Sequence, residues 1–370
     1  MSELTISKNV SLLTLILPKE TVEQVSSAIS KEGAKGIVQI SARGSVLNEG
    51  GFLQKMFPPP APEQQLLQAL VPNSKIEVIT DKAIEVGNLD KVGGGAVFTI
   101  SCNDAHFSDK FPVNIEDSDA KADSNGSDNL EAICCICEIG VADDIAKAAL
   151  QNGAPGPTVT FGEGGGVRDK IPLLRITKGP EKEFVWCVVD KSDSDAIFAD
   201  MARAGKITEP GRGFMYSIPV SSGLINVSST VSSSAHGANM EQIIAALDDL
   251  KGDKDWRTSI DSSKGKSLKT TYLENLVGMY CIVPRDNYSD VYDAILDSGA
   301  PGVSTNFGVM IDSESDQQQN EEWALVYTSV GPNSVNDLRS AMEAKISSLG
   351  IDRYAFYTLP IPRALTYLGG

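Results

Sequence analysis

The run Lys206-Ile207-Thr208-Glu209-Pro210-Gly211-Arg212-Gly213 brings together the residue types that hold an anion. Gly211 and Gly213 let backbone N–H groups approach without a Cβ in the way. Arg212 adds a planar fork matched to phosphate, and Lys206 adds a point charge. The same Pro-Gly chemistry also builds a plain tight turn between a helix and a strand, and spacing does not separate the two. A second run, Phe161-Gly162-Glu163-Gly164-Gly165-Gly166, leaves a similar choice. Gly164 and Gly165 serve either a phosphate or the mobility of a loop.

Catalytic constellations are harder to assemble. The chain has two histidines, His106 and His236, and neither stands in a Ser-His-Asp or metal-ligand spacing. Lys264-Gly265-Lys266-Ser267 resembles the end of a phosphate-binding loop, but Ile260 occupies the place of its first glycine. Acidic pairs such as Asp143-Asp144 and Asp248-Asp249 read as solvated helix charges. Of the six cysteines, Cys134, Cys135 and Cys137 are clustered. Strand alternation puts Cys135 and Cys137 on one face and Cys134 on the other, so the three read as small core residues and not as metal ligands. The chain is expected to be no enzyme and to hold no tightly bound cofactor.

The elements that would position these residues repeat along the chain. KEGAKGIVQISARGS, QNGAPGPTVTFGEGG and DSGAPGVSTNFGVMI each read as a helix end, a Gly-Ala-x-Gly turn and a strand. An apolar strand precedes each (SLLTLIL, AICCICEI, LVGMYCIV), followed by an amphipathic helix. Third strands are read at KIEVITD, EFVWCVV and EWALVYTSV, and last strands at GAVFTIS, GFMYSIP and YAFYTLPIP. The predicted fold class is α+β, with three tandem ferredoxin-like βαββαβ modules in a pseudo-threefold, single-chain trimer. They span residues 1–115 with a long loop insertion at 45–74, 128–222, and 270–370; residues 116–127 and 223–269 are read as linkers. Helices are also expected at PEQQLLQAL inside that insertion and at MEQIIAALDDL.

The net charge of −17 argues against a nucleic-acid partner, since a phosphate backbone requires a basic face. No stretch reaches the roughly 18 unbroken apolar residues of a membrane helix, and Lys19 and Glu20 close the apolar run at Leu12–Leu17. A protein not itself membrane-spanning and located in the cytoplasm is expected, with its thiols reduced.

EKEFVWCVVDKSDSDAIFADMARAGKITEPGRGFMYSIPV resembles the second half of P-II-type signalling proteins, and more closely their P-II-like cousins with a PGRG-type turn. The likeness is clear across the second module and partial over the other two. It implies an adenine nucleotide or similar small anionic effector (AMP, cyclic AMP, ADP or ATP) bound in a cleft between modules. It also implies signalling through loops to a protein target, an enzyme or a transporter. Thr158 falls at a matching position of the cleft strand, and Arg43 and Gly44 match the family's loop entry. The basic residues expected beyond the last strand are missing after the second module, where Arg363 of the third would substitute. Val92-Gly93-Gly94-Gly95 keeps glycines but lacks the arginine, and Leu349–Arg353 lacks the paired glycines. The loop at Arg168, Lys170 and Arg175 around Ile171–Leu174 reads either as a docking surface or as a solvated hairpin. The expected function is non-catalytic regulation; the alternative is an interaction scaffold that has lost its ligand.

Overall fold

The apolar runs become strands buried on both faces. In Val10–Pro18 (β2), Leu13, Leu15 and Leu17 enter one core while Val10, Leu12 and Ile16 enter another. Leu130–Glu138 (β8) divides likewise: Ile133, Cys135 and Cys137 on one side, Ala132, Cys134 and Ile136 on the other. Leu273–Pro284 (β14) puts Met279, Cys281 and Val283 opposite Tyr280 and Ile282. Such continuous hydrophobicity is what a strand covered on both sides requires.

The computed structural model describes residues 5–48, 62–113, 129–166, 180–227, 230–232, 271–311 and 321–368. The other strands, in chain order, are β1 (Thr5–Ser7), β3 (Ile37–Gly44), β4 (Val46–Asn48), β5 (Glu63–Pro72), β6 (Gly95–Ser101) and β7 (Asp104–Phe107). There follow β9 (Thr158–Gly166), β10 (Glu181–Asp190), β11 (Gly213–Val220), β12 (Ser222–Asn226) and β13 (Thr230–Ser232). The last are β15 (Gly302–Ile311), β16 (Glu321–Val330) and β17 (Ala355–Thr366). Helices α1 (Val22–Lys31) and α2 (Ile76–Gly87) pack together, as do α3 (Ala142–Gln151) with α4 (Lys191–Ala204), and α5 (Tyr288–Asp297) with α6 (Val335–Leu349).

This architecture overturns the expectation of three ferredoxin-like βαββαβ modules, and the tandem-repeat, pseudo-trimer description falls with it. Fifteen strands form one hydrogen-bonded sheet with antiparallel pairing, and nine of them close into a barrel. The ring runs β17-β11-β8-β10-β9-β3-β15-β16-β14 and returns to β17. An arm of β5, β2, β6 and β12 extends from β3; β7 and β1 extend from β17. The physical reason is edge pairing. Local pattern gives the order of strands and helices, whereas an exposed strand edge joins whatever edge reaches it in space.

Two local readings are reversed. PEQQLLQAL, expected to be a helix, runs from Pro62 into β5, where Leu67, Ala69 and Val71 face the helices and Leu66 and Leu70 join the larger core that holds Tyr280, Tyr327 and Tyr357. KIEVITD, expected to be a strand, starts α2, with Ile79, Ala83 and Gly87 buried at helical spacing. Burial on both faces overrides the helix preference of Gln, Leu and Ala in the first case. Part of the stretch read as a linker at 223–269 is also strand: β12, from Ser222 to Asn226, pairs with β6, and Thr230–Ser232 runs parallel to β4. The expected helix MEQIIAALDDL, residues 116–127, the loop from Arg168 to Arg175, His236 and Lys264–Ser267 lie outside the described residues.

The barrel interior is aromatic. Tyr280 stacks on Tyr357 with ring centroids 4.9 Å apart and on Tyr327 at 5.1 Å, a ladder across three neighbouring strands. On β7, beside the ring, Asp104 receives Arg339 Nη1 at 2.7 Å and the Thr358 hydroxyl, with His106 Nε2 at 3.3 Å. The His106 ring, Thr358 and Arg339 together hold the Asp104 carboxyl well below the usual carboxylate range, against the burial that would raise it. Arg339 Nη1 also lies 2.8 Å from His106 Nε2, so the three side chains form one cluster.

Because the folded-state pKa of Asp104 is depressed, its contribution is fully present above about pH 4 and is lost as pH falls through the folded value. Asp104→Asn should therefore lower the denaturation midpoint at pH 7, and the gap to wild type should narrow on acidification below pH ~4. Burial raises the thiols of Cys137 and Cys187 to about 12. Alkylation at pH 8 should accordingly modify neither in the native protein, and should modify both once denaturant passes the unfolding midpoint.

Candidate functional site

Helix α4 ends where Lys206 takes a left-handed backbone, φ 52°, and buried Ile207 anchors the chain by donating its N–H to Ala202 O at 3.0 Å. The turn then closes on itself: Glu209 N donates to Lys206 O at 2.8 Å and Arg212 N to Glu209 O at 3.3 Å. Gly213, at φ 151°, enters β11 so close to β8 that a Cβ would stand 2.0 Å from Ile136 O. These glycines and two of the turn's N–H groups are thus engaged in building the turn. Arg212 reaches Glu138 and Glu209, each at 3.4 Å, with its side chain 38% exposed. Lys206 is exposed.

Arg43, on β3, reaches across to the second segment. It meets Asp143 at 2.6 Å, in the first turn of α3, and Glu183 at 3.4 Å. Glu183 is almost fully buried and accepts the N–H groups of Gly140 at 2.8 Å and Ala142 at 3.1 Å. The anion at the start of α3 is therefore the chain's own carboxylate, favoured there by the helix dipole. Arg363 is held by Asp195, Glu131 and Ser194 and lies 4.2 Å over the Phe198 ring.

Arg212 and Arg363 do not converge. Arg212 touches Glu138 and Arg363 touches Glu131, at opposite ends of β8. Seven strand residues at about 3.3 Å each separate those carboxylates by roughly 23 Å. Gly164 and Gly165 lie within β9, opposite Ser304 and Val303 of β15. Nearby, a Cβ on Gly162 would stand 2.0 Å from Thr305 O. The glycine run permits a strand crossing. Gly44 pairs with Thr158, and the Thr158 hydroxyl is fully buried, donating to Gln64 Oε1 at 2.9 Å.

Gln64 leads to a cleft that sequence reasoning missed. An open volume of about 580 Å³ lies among Pro18, Lys19, Glu20, Glu63, Gln64 and the Gly93–Gly95 turn. Val227 closes one side, and Asn226 ties the turn down by accepting Gly93 N–H at 2.8 Å and donating to Leu89 O at 2.7 Å. Gln64 was hidden by the expected helix at PEQQLLQAL, and Val227 by the expected linker. The Gly-Gly-Gly run was visible but lacked the arginine that would have marked it. Lys19 pairs with Glu63 at 2.7 Å, with both side chains mostly exposed. Their hydrogen bond and mutual attraction raise the Lys19 pKa and lower that of Glu63. A solvent-screened pair of this kind gives up its cation to a competing anion easily.

All six cysteines are buried and free, with Cys134 facing away from Cys135 and Cys137 as strand alternation requires. Among the described residues no cluster has metal-ligand geometry, and no helix is long and apolar enough to cross a membrane.

No family model matches the chain, and no curated protein matches it. Among solved structures, it is similar to a microcompartments protein from Desulfitobacterium hafniense DCB at 12% identity and a TM-score of 0.18, over 64% of this chain and 95% of that one. It is also similar to aspartate kinase from Synechocystis at 8% identity and a TM-score of 0.21, over 96% of this chain and 44% of that one. Likeness at this level assigns neither a fold family nor an activity.

Glu183→Ala should destabilise the protein by about 2–4 kcal/mol, because two backbone donors and Arg43 lose a buried partner. Glu183→Gln should lose less, and Arg212→Ala should stay within about 0.5 kcal/mol of wild type. Urea denaturation of the three variants checks this order.

Proposed function

We propose that the protein is a non-catalytic regulator that binds a small anionic effector, with an adenine nucleotide as the first ligand class to test. The effector occupies the cleft at Lys19, Gln64 and Gly93–Gly95, and its occupancy is relayed to a protein target, an enzyme or a transporter. One observation carries this reading: elements distant in sequence meet at an open cleft of about 580 Å³ whose lysine is held by an exposed, exchangeable partner. The likeness of Glu181–Val220 to P-II-type proteins supports the ligand class. With Glu20 and Glu63 beside Lys19, the lining favours one phosphate over a polyphosphate. Regulation then follows as a population shift, with the effector favouring the state that closes on it.

An interaction scaffold without a ligand is the second reading. It is favoured by the carboxylates that already face Arg43, Arg212 and Arg363.

Thermal unfolding against AMP, cyclic AMP, ADP, ATP, phosphate and bicarbonate separates the two. The regulator should gain stability with one adenine nucleotide, about 2.7 kcal/mol at a hundredfold excess over Kd, read as a concentration-dependent rise in melting temperature. The gain should disappear in Lys19→Ala and survive in Arg212→Ala. A flat response across the panel at millimolar concentration leaves the scaffold; a gain lost in Arg212→Ala instead moves the ligand to the Lys206–Gly213 turn.

A further inference from the structure

A cavity of about 20 Å³ lies in the sheet interior, where the arm meets the barrel. Leu12, Ile40, Leu66 and Phe98 contribute to its wall, yet so do Thr14, Gln68, Thr160, Asn306, Tyr280 and Tyr327. These polar residues stand on β2, β5, β9, β15, β14 and β16, so the cavity gathers polar groups from both the arm and the ring. Thr160 and Asn306 are 1% and 4% exposed, deep enough that each hydrogen-bonding group left unmatched is costly.

Direct contacts among these groups are long. Gln68 Nε2 lies 3.5 Å from Thr14 Oγ1, Asn306 Nδ2 lies 3.4 Å from Thr160 Oγ1, and Tyr327 OH lies 3.4 Å from Asn306 Oδ1. Protein hydrogen bonds normally close to about 2.7–3.2 Å. Thr14 and Thr160 each face an amide donor, so their own hydroxyl protons are left to seek an acceptor. A group that accepts from two hydroxyls and donates to an amide or phenol oxygen would complete the set. A polar cavity needs roughly 10–15 Å³ and two to four partners to hold a water molecule, and this one meets both conditions.

We infer that the cavity is a binding site for one structural water, hydrogen-bonded to Thr160 of the ring and to one to three of Thr14, Gln68, Asn306 and Tyr327, so that it joins arm and ring. The water fixes how the arm sits against the barrel, because slipping either part by one strand residue would turn its polar side chains away. The volume excludes an organic ligand, so this site is independent of the effector cleft.

A crystal structure of the full chain, at a resolution where ordered waters are placed, tests the inference. The expected result is a single density peak within hydrogen-bonding distance of Thr160 and of at least one of Thr14, Gln68, Asn306 and Tyr327. Thr160→Val keeps the shape and removes one partner; its peak should weaken or vanish and its melting temperature should fall. Pressurising wild-type crystals with xenon supplies a second measurement, since a wet polar site stays free of xenon. An empty cavity, closure of the side chains onto one another, or xenon occupancy would overturn the inference. So would a peak unchanged in Thr160→Val.

Discussion

Three strands that pair mutually set the rest of the structure. At its first residues β9 pairs with the end of β3, through Thr158–Thr160 against Ala42–Gly44. Further on it pairs with β15, through Gly162–Gly166 against Gly302–Asn306, and the end of β15 returns to Ile37–Gln39 of β3. Each strand changes partner midway, and backbones at such a crossing approach too closely for side chains. A Cβ at Gly162 would meet Thr305 O at 2.0 Å, and one at Gly308 would meet Gln39 O at 2.5 Å. Because this junction joins arm to ring, it also positions Arg43 over Glu183, Thr158 against Gln64 and the polar residues of the central cavity.

Electrostatics follow from that junction in an acidic chain. With 49 acidic against 32 basic residues, a cation brought to a crossing meets a carboxylate before it meets any ligand. Arg43 and Arg363 are mostly buried among their partners and therefore act as clamps between segments. Arg212 is half-exposed, and Lys19 is paired in open solvent. The distinction matters because a desolvated pair resists exchange whereas a solvated one does not. Arginine type and glycine spacing, which suggested an anion site at Lys206–Gly213, describe equally well a turn with internal ion pairs.

Much of the element order was legible in the residues. SLLTLIL, AICCICEI and LVGMYCIV are strands, the helices around Ile145 and Val291 are present, and the cysteine faces follow from alternation. What failed was the step from order to architecture. Leu66 and Leu67 face different cores, so β5 carries no half-polar alternation to distinguish it from a buried helix. KIEVITD is β-branched enough to resemble a strand, yet Ile79 and Ala83 lie on one helical face. Sheet closure left no mark in the residues either, because the edges β14 and β17 share are ordinary apolar strands whose pairing is decided in space.

The same limit applies to the candidate site. A cleft assembled within one loop leaves a contiguous pattern, as Lys206–Gly213 does, whereas the cleft at Gln64 takes short runs at the end of β2 and the start of β5, one residue after β12 and the turn before β6. None of those residues is unusual alone: a lysine after a strand, a glutamine at a strand start, a valine in a polar stretch. Their meaning comes from the arm, which folds β12 back onto β6 so that Asn226 can tie down the glycine turn. Function placed at such a meeting point can diverge by changing one residue at a time without disturbing any strand.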